Sequence, residues 1–343
     1  MNQNIYNMIK NGYEKKQKAA FDGVLSRRGE VYSKIPRLQE IDSHIRLSGI
    51  KYNKMILLGT NPVDKAITEL ISKVNELRME RELLLTEHGY PANYLEISYC
   101  CPLCKDTGYL ESGVGSEKCV CYKQQLINHL YSQSNLKLAE TENFSSFDES
   151  FFPDVIDETR YKIKVSPREH ILRIKERCIK FIENFSSPDE KSLFFSGPTG
   201  VGKTFLANCI ASELLNRGKT VLYQTAPVLF DTINEYKMKA YKEEGFDMMR
   251  YKNIFDVELL IIDDLGTEPP SAAKFTELLN ILNTRQAVNL TKSCKTIVST
   301  NIGMKELHEY YDERIASRII GCFDMFWFAG QDIRSVKRFS GVK

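Results

Sequence analysis

The spacing GxxxxGK[ST] is the most informative chemical pattern in the chain, and it spans Gly197-Pro198-Thr199-Gly200-Val201-Gly202-Lys203-Thr204. In such a loop the backbone N–H groups face nucleotide phosphates, the lysine reaches the β- and γ-phosphates, and the final hydroxyl ligates Mg²⁺. A short apolar run, 193–195, precedes the loop, and a helical pattern from Phe205 to Leu215 follows it. This strand-loop-helix context favours a nucleoside triphosphate site over a chance match in a glycine-rich turn.

Two adjacent carboxylates end a second apolar run. Residues 258–262 are of the buried strand type, and Asp263 and Asp264 follow them directly. Asp263 would hold Mg²⁺ together with Thr204, and Asp264 is placed to polarise the water that attacks the γ-phosphate. A solvated acidic turn would leave the apolar run unexplained.

A third apolar run, 296–300, ends at Asn301. From a neighbouring strand, this amide could contact the γ-phosphate or the attacking water. The same residues also fit a strand that simply enters a turn. The predicted sensor role of Asn301 therefore depends on the order of the three motifs along the chain.

Five of the nine cysteines lie within residues 100–121. Cys101 and Cys104 form a CxxC pair, and Cys119 and Cys121 form a CxC pair about fifteen residues later, which is typical of a tetrahedral Zn²⁺ site. Cys100 is the spare thiol. A redox-active CxxC is the competing interpretation, but it would need a thioredoxin-like strand-helix context. A closed four-thiolate site would be structural.

The elements around the motifs predict an α/β fold. From about residue 165, predicted strands at 193–196, 220–224, 258–262, 295–300 and 324–328 alternate with helices. This order predicts a doubly wound parallel sheet. A strand at 220–224 is compatible with the P-loop proteins that insert an extra strand between the phosphate-loop strand and the carboxylate strand.

The rest of the chain divides into three predicted regions. Residues 1–95 are helical, and a coiled-coil or hairpin seam is formed by apolar residues at alternating spacing: Val63, Ile67, Leu70, Val74, Leu77 and Leu84. Residues 96–138 form the zinc knuckle and a following helix, and residues 139–164 form a polar and aromatic connector. The nucleotide-binding domain occupies residues 165–343.

Composition gives weaker constraints. The chain has 343 residues and a formal charge of +2, so net charge offers no argument for nucleic acid. It has no apolar stretch of membrane-spanning length and no signal pattern, so we expect a cytoplasmic protein with no membrane partner.

Taken together, these motifs resemble the DnaC/DnaI-type bacterial replicative helicase loaders, a clade of AAA+ ATPases that includes the IstB-type transposase helpers. The resemblance covers residues from about 140 onward and depends on five segments: GPTGVGKT at 197–204, LLIIDDLGTE at 259–268, STN at 299–301, DERIASRI at 312–319 and DIRS at 332–335. The cysteine pattern also resembles the zinc region with which DnaI-like loaders engage the hexameric replicative helicase.

The resemblance implies ATP as the nucleotide and assigns two arginines. Arg318 is similar to the arginine finger that reaches the nucleotide of a neighbouring subunit, with Arg314 as the alternative, and Arg334 is similar to sensor 2. It therefore implies self-association. Asp264 stands where many AAA+ enzymes have Glu, which implies slow, switch-like hydrolysis, and only nine residues follow Arg334, too few for a helical lid.

The resemblance also implies a groove for single-stranded DNA at residues 230–255. Lysines and arginine alternate there with aromatic residues: Lys237, Lys239, Lys242, Arg250, Lys252, Tyr236, Tyr241, Phe246 and Tyr251. A solvated basic helix face explains the same pattern without DNA.

The predicted function is an ATP-dependent loader that binds the hexameric replicative helicase and delivers it onto single-stranded DNA during initiation of DNA replication. The alternatives are an IstB-like ATPase helper of a transposase, a small-molecule P-loop kinase, and a P-loop adaptor without a DNA role.

Overall fold

The computed structural model describes residues 2–57, 64–112, 115–130, 141–239 and 246–340. The chain separates into two compact units. One comprises Asn7–Cys119, and the other comprises Val120–Lys343 together with Met1–Tyr6.

Helices and one β-hairpin build the unit Asn7–Cys119. Its elements are α1 (Asn2–Lys34), α2 (Pro36–Leu57), α3 (Asp64–Glu87), β1 (Tyr109–Ser112) and β2 (Gly115–Lys118). Pro36 separates α1 from α2, because proline disfavours helical geometry in the residue before it and suits the first turn of the next helix.

Helices α2 and α3 pack as a hairpin. Leu38, Ile41, Leu77 and Leu85 are buried between and around them. Of the predicted seam, Leu70, Val74 and Leu84 are half-buried. Val63 and the side chain of Ile67 lie outside the described residues.

The second unit alternates strands with helices. Its strands are β3 (Ser192–Ser196), β4 (Val221–Thr225), β5 (Leu259–Leu265), β6 (Lys295–Thr300) and β7 (Phe323–Trp327). Its helices are α4 (Val120–Leu130), α5 (Glu158–Tyr161), α6 (Pro167–Glu183), α7 (Lys203–Asn216), α8 (Ala226–Lys239), α9 (Phe246–Asp256), α10 (Ala272–Asn289), α11 (Met304–Tyr310), α12 (Glu313–Cys322) and α13 (Ile333–Ser340).

In the described part of the chain, the five strands of this unit form one parallel sheet in the order β4-β5-β6-β3-β7. This confirms the predicted doubly wound parallel sheet. The strand inserted between the phosphate-loop strand β3 and the carboxylate strand β5 is β6, whereas β4 lies at the sheet edge. The three motif strands are neighbours in the sheet, and because they are parallel their carboxyl ends lie side by side.

Burial on both faces explains why the strands read as continuous apolar runs. Leu259, Leu260, Ile261 and Ile262 are all fully buried, as expected when helices cover both sides of a parallel sheet. Near the start of β6, the fully buried Arg285 donates to Thr296 Oγ1 and to the carbonyls of Ile254 and Lys295. These hydrogen bonds offset the cost of burying its guanidinium group.

Candidate functional site

The phosphate loop is shaped by glycines at the end of β3. Gly197, Gly200 and Gly202 have φ angles of 142°, 79° and 94°, a region that side chains other than glycine rarely adopt. A Cβ atom on Gly197 would lie 2.3 Å from the carbonyl oxygen of Phe328, so the loop also needs glycine for close approach. Helix α7 begins at Lys203, and its N-terminus is therefore part of the loop.

Lys203 lies at the centre of the loop and is only 5% exposed. Its Nζ donates to the carbonyls of Gly197 and Pro198, at 2.7 and 2.6 Å, and to Asn301 Oδ1 at 2.8 Å. The structure thus joins the predicted phosphate-binding lysine to the predicted sensor amide. Phosphate oxygens would replace these acceptors when nucleotide binds.

Asp263 and Thr204 meet as a magnesium site requires. Thr204 Oγ1 donates to Asp263 Oδ2 at 3.1 Å, and Asp263 is almost fully buried. The phenol of Tyr223 on β4 donates to the same carboxylate oxygen at 2.5 Å. Hydroxyl and carboxylate oxygens are the hard ligands that Mg²⁺ prefers, so the residues present fit the ion.

The titration of three groups is shifted. Burial lowers the pKa of Lys203 to about 8, although Asp263 and Asp264 favour its charge. Burial, and then the neighbouring Asp263, raise the pKa of Asp264, which makes it a better proton acceptor. Asp264 also has φ of 54°, an uncommon backbone angle of the kind found at functional sites. Burial and Asp263 raise the pKa of Tyr223, so its phenol remains a donor.

Most of the predicted nucleotide-binding residues line one cavity of about 470 Å³. The cavity includes the predicted residues Thr199, Gly200, Gly202, Lys203, Thr204, Asp264, Asn301 and Arg334. Gly197, Pro198, Val201 and Asp263 complete the loop and the metal pair behind this lining. Two elements that sequence reasoning did not place in the site, the connector and α13 beyond Arg334, supply further walls.

The connector contributes an aromatic wall. Phe147 stacks on Phe152, with ring centroids 6.1 Å apart and planes within 17°, and it also contacts Phe205 of α7. Lys175 lies 4.3 Å above the Phe147 ring. The aromatic run at 143–147 was visible in the sequence, but no local pattern shows that it folds against the phosphate loop.

Helix α13 docks on the phosphate loop. Ile333 N donates to Gly200 O at 2.9 Å, and the Asp332 carboxylate accepts from Arg334 N at 3.0 Å, which caps the helix. This docking sets Arg334 in the cavity wall, as its predicted contact with the nucleotide requires.

Arg318 lies elsewhere in the unit. It donates to Gln286 Oε1 at 2.8 Å beside a second cavity of about 200 Å³, whose lining includes Ser192 and Thr296 at the start of β3 and β6. The nucleotide cavity is at the other ends of these strands. Arg314 is exposed and held by Asp312, with its Nη2 2.6 Å from Oδ2. The structure does not bring either arginine to the phosphate loop of its own chain.

The four predicted zinc ligands converge. The sulfurs of Cys101, Cys104, Cys119 and Cys121 all lie within 4.8 Å of one another, and the Cys101–Cys119 pair is 3.9 Å apart. Sulfurs about 2.3 Å from a tetrahedral Zn²⁺ are separated by roughly 3.8 Å, so the donor set and its spacing fit the ion.

Hydrogen bonds support the first turn of the cysteine cluster. The buried Asp106 carboxylate accepts from the N–H groups of Cys100 and Cys101, each at 2.8 Å. Gly108 N donates to Cys104 Sγ at 3.3 Å, a pattern that stabilises a thiolate. The spare Cys100 is exposed.

The basic and aromatic segment forms α8 and α9. Its described cations pair with carboxylates: Lys237 with Glu277, Arg250 with Glu235 at 3.2 Å, and Lys252 with Asp256 at 3.9 Å. Tyr236 and Tyr251 stack with centroids 4.3 Å apart. Tyr241 and Lys242, and the side chains of Lys239 and Phe246, lie outside the described residues.

Within the described ranges, a helix long and apolar enough to cross a bilayer does not occur.

Known proteins resemble part of the chain. The sequence model of the IstB-like ATP binding protein family matches residues 124–322. The Escherichia coli K12 protein named replicative helicase loader DnaC is 32% identical over 143 residues, which cover 41% of this chain and 54% of that protein. A putative insertion sequence ATP-binding protein of Sinorhizobium fredii is 27% identical over 152 residues, 43% of this chain and 58% of that protein. The chain thus spans little more than half the length of these relatives.

Two solved structures also align with part of the chain. The crystal structure of the DnaC helicase loader aligns at a TM-score of 0.41 and 20% identity, covering 56% of this chain and 98% of that one. A crystal structure of DnaI aligns at a TM-score of 0.42 and 23% identity, covering 58% and 93%.

Proposed function

Because the chain belongs to the IstB-like ATP binding protein family, we propose that it is an ATP-dependent loader of the hexameric replicative DNA helicase. In this proposal it delivers the helicase onto single-stranded DNA during initiation of DNA replication. The observation that carries the proposal is the cysteine cluster, since a transposase helper made only of an ATPase domain has no need of a metal-folded module. The similarity to the protein named replicative helicase loader DnaC supports the same choice.

ATP hydrolysis is the proposed chemical step. Lys203 and the N–H groups of the phosphate loop bind the β- and γ-phosphates, and the aromatic wall around Phe147 offers a flat surface for the base. Asp264 and Asn301 orient the water. The water attacks the γ-phosphorus, the bond to the bridging oxygen breaks, and Asp264 takes the proton as ADP and phosphate form.

Thr204 and Asp263 would hold Mg²⁺ beside the phosphates. The ion supplies neutralisation of the charge on the β- and γ-oxygens. The short side chain of Asp264, which reaches less far than a glutamate, is consistent with a slow, switch-like ATPase.

We infer that the finger acts between subunits. Arg318 lies near the amino-terminal ends of β3 and β6, whereas the cavity of its own chain lies at their carboxyl ends. A nucleotide within reach of Arg318 would therefore belong to a neighbouring copy. Single-stranded DNA would occupy the α8–α9 surface, where its phosphates would replace Glu277, Glu235 and Asp256 as partners of the basic residues.

A pull-down against the replicative helicase of the source organism tests the loader proposal. The intact chain is compared in ATP and in ADP with two variants, Cys104→Ser, which removes a buried ligand, and Cys100→Ser, which removes the exposed spare thiol. We expect the intact chain and Cys100→Ser to retain the helicase and Cys104→Ser to lose it. Failure of the intact chain to bind in either nucleotide would exclude the loader role.

The second candidate is an ATPase helper of a transposase. The similarity to the insertion sequence ATP-binding protein of Sinorhizobium fredii favours it. In that case the helicase would be absent from the pull-down, and the chain would bind double-stranded DNA in ATP together with a transposase.

A further inference from the structure

We propose that Tyr223 is a positioning residue for the magnesium ion of the nucleotide site. The inference rests on the proposed nucleotide site and adds to it a residue outside the predicted motifs. Tyr223 would act through Asp263 and Thr204, which it contacts, and not by touching nucleotide or metal.

Sheet geometry brings the phenol to the metal pair. Tyr223 on β4 pairs with Ile261 on β5, two residues before Asp263. Residues two apart on a strand share a face, and a diagonal neighbour across a strand pair lies within reach of a long aromatic side chain. The ring of Tyr223 therefore extends along the strand to the carboxylate.

The contacts made by the phenol involve both predicted metal ligands. Its oxygen donates to Asp263 Oδ2 at 2.5 Å, and the Thr204 hydroxyl lies close enough to affect its titration. Thr204 Oγ1 is itself 3.1 Å from the same carboxylate oxygen. The fully buried Tyr223 phenol thus restrains the Asp263 carboxylate, to which the Thr204 hydroxyl is also bound.

The other carboxylate oxygen is also held. Asp264 N donates to Asp263 Oδ1 at 3.0 Å. With both oxygens hydrogen-bonded, the plane of the carboxylate is defined before any ion arrives. Loss of the phenol would leave Oδ2 with Thr204 as its described partner and would allow the carboxylate to rotate.

A purely structural role would give a different result, and the chain contains a matched control. Tyr311 is also buried, and its phenol donates to Glu268 Oε1 at 2.5 Å in the loop after β5. Tyr223→Phe and Tyr311→Phe therefore remove the same atom from the same kind of hydrogen bond. Only the first hydroxyl contacts the metal pair.

The test measures binding of a fluorescent ATP analogue by the intact chain and both variants, in EDTA and across a Mg²⁺ titration. Mg²⁺ should enhance binding of the analogue, and for Tyr223→Phe we expect the Mg²⁺ concentration that gives half of this enhancement to rise by about 10- to 100-fold. This is the usual effect of removing a hydrogen-bond partner of a metal ligand. Affinity in EDTA should be unchanged. Tyr311→Phe should match the intact chain in both conditions.

Thermal unfolding without nucleotide identifies variants that fail to fold. Equal Mg²⁺ curves for Tyr223→Phe and the intact chain, or equal shifts in both variants, would overturn the proposal. Nucleotide binding by the intact chain that is independent of Mg²⁺ would overturn it too. A failed helicase pull-down would instead exclude the loader role and leave these binding results standing.

Discussion

At the residue scale, the proposed chemistry depends on a few side chains whose pKa is shifted by burial. Lys203 is held by two loop carbonyls and an amide, all of them neutral acceptors. The charged form of Lys203 is therefore less stable than that of an exposed lysine, and bound polyphosphate would stabilise it. The ionised form of Asp264 is also disfavoured, because burial and the neighbouring Asp263 both raise its pKa.

The lowered pKa of Lys203, about 8, predicts a pH-dependent affinity for ATP. Phosphate binding requires the ammonium form, so affinity should be constant below the pKa of the free protein and fall as the pH rises through it. Between pH 7 and pH 9 the dissociation constant should increase about tenfold. Phosphate completes its own ionisation near pH 6, below this window.

Equilibrium binding of ATP at several pH values, with unfolding temperatures recorded at each, provides the measurement. Lys203→Ala should bind weakly and show no step. A flat profile in the intact chain would mean that the lysine keeps an ordinary pKa.

At the element scale, the site is a set of close approaches between strand ends and helix starts. The β3–α7 loop passes under the end of β7, where Phe328 N donates to Ser196 O at 2.7 Å. Helix α13 then closes on Gly200. Such contacts leave no room for a Cβ atom at Gly197 or Gly200.

Gly197→Ala should disturb this packing. The new Cβ would lie 2.3 Å from a backbone oxygen, and the alanine would have to adopt a φ near 142°. We therefore expect a loss of about 1–3 kcal/mol in the free energy of unfolding and weaker ATP binding. Gly321→Ala in α12 is the control, because nothing lies within 4 Å of its Cβ and alanine favours helix, by up to about 1 kcal/mol. Denaturant unfolding measures both; an equal effect at the two positions would contradict the argument.

The cysteine cluster gives a prediction about metal content. We expect one zinc per chain, retained by Cys100→Ser and lost from Cys104→Ser, because only Cys104 belongs to the converging sulfurs. Metal analysis of the purified proteins provides the measurement. Chelation should unfold the cluster, since thiolate sites of this kind fold with their ion. Retention of zinc by Cys104→Ser would show that the ligand set is different.

At the scale of the whole molecule, the common direction of the parallel strands separates Arg318 from the phosphate loop. The nucleotide cavity lies at the carboxyl ends of the parallel strands, and Arg318 lies near their amino-terminal ends. Arg318 therefore does not line the nucleotide cavity of its own chain. In the proposed function, head-to-tail association of copies would bring Arg318 of one copy to the nucleotide of the next.

Mixing experiments test whether the finger acts between subunits. Arg318→Ala and Lys203→Ala should each lose ATPase activity, one for lack of a finger and the other for lack of a site. An equal mixture should recover about a quarter of the intact rate, because one neighbour pair in four joins an intact site to an intact finger. Repeating the mixture with Arg314→Ala identifies which arginine is the finger, and no recovery with either would exclude catalysis between subunits.

The sequence by itself determined the features that depend on neighbouring residues. Apolar runs that end in GPTGVGKT, in Asp263-Asp264 and at Asn301 specify strands and the groups that follow them, and the observed strand bounds agree with the predicted ones within a few residues. The two cysteine pairs are equally local. Periodicity and short-range spacing encode such features directly.

Only the tertiary structure decided which distant elements meet. Strand order placed β6 rather than β4 between the motif strands, the connector supplied an aromatic wall, and Tyr223 reached Asp263 forty residues away in sequence. No periodicity records these contacts, because they arise from how sheet edges and helix faces pack once the chain has collapsed. The same packing set Arg318 away from its own nucleotide cavity, which a motif alone could not reveal.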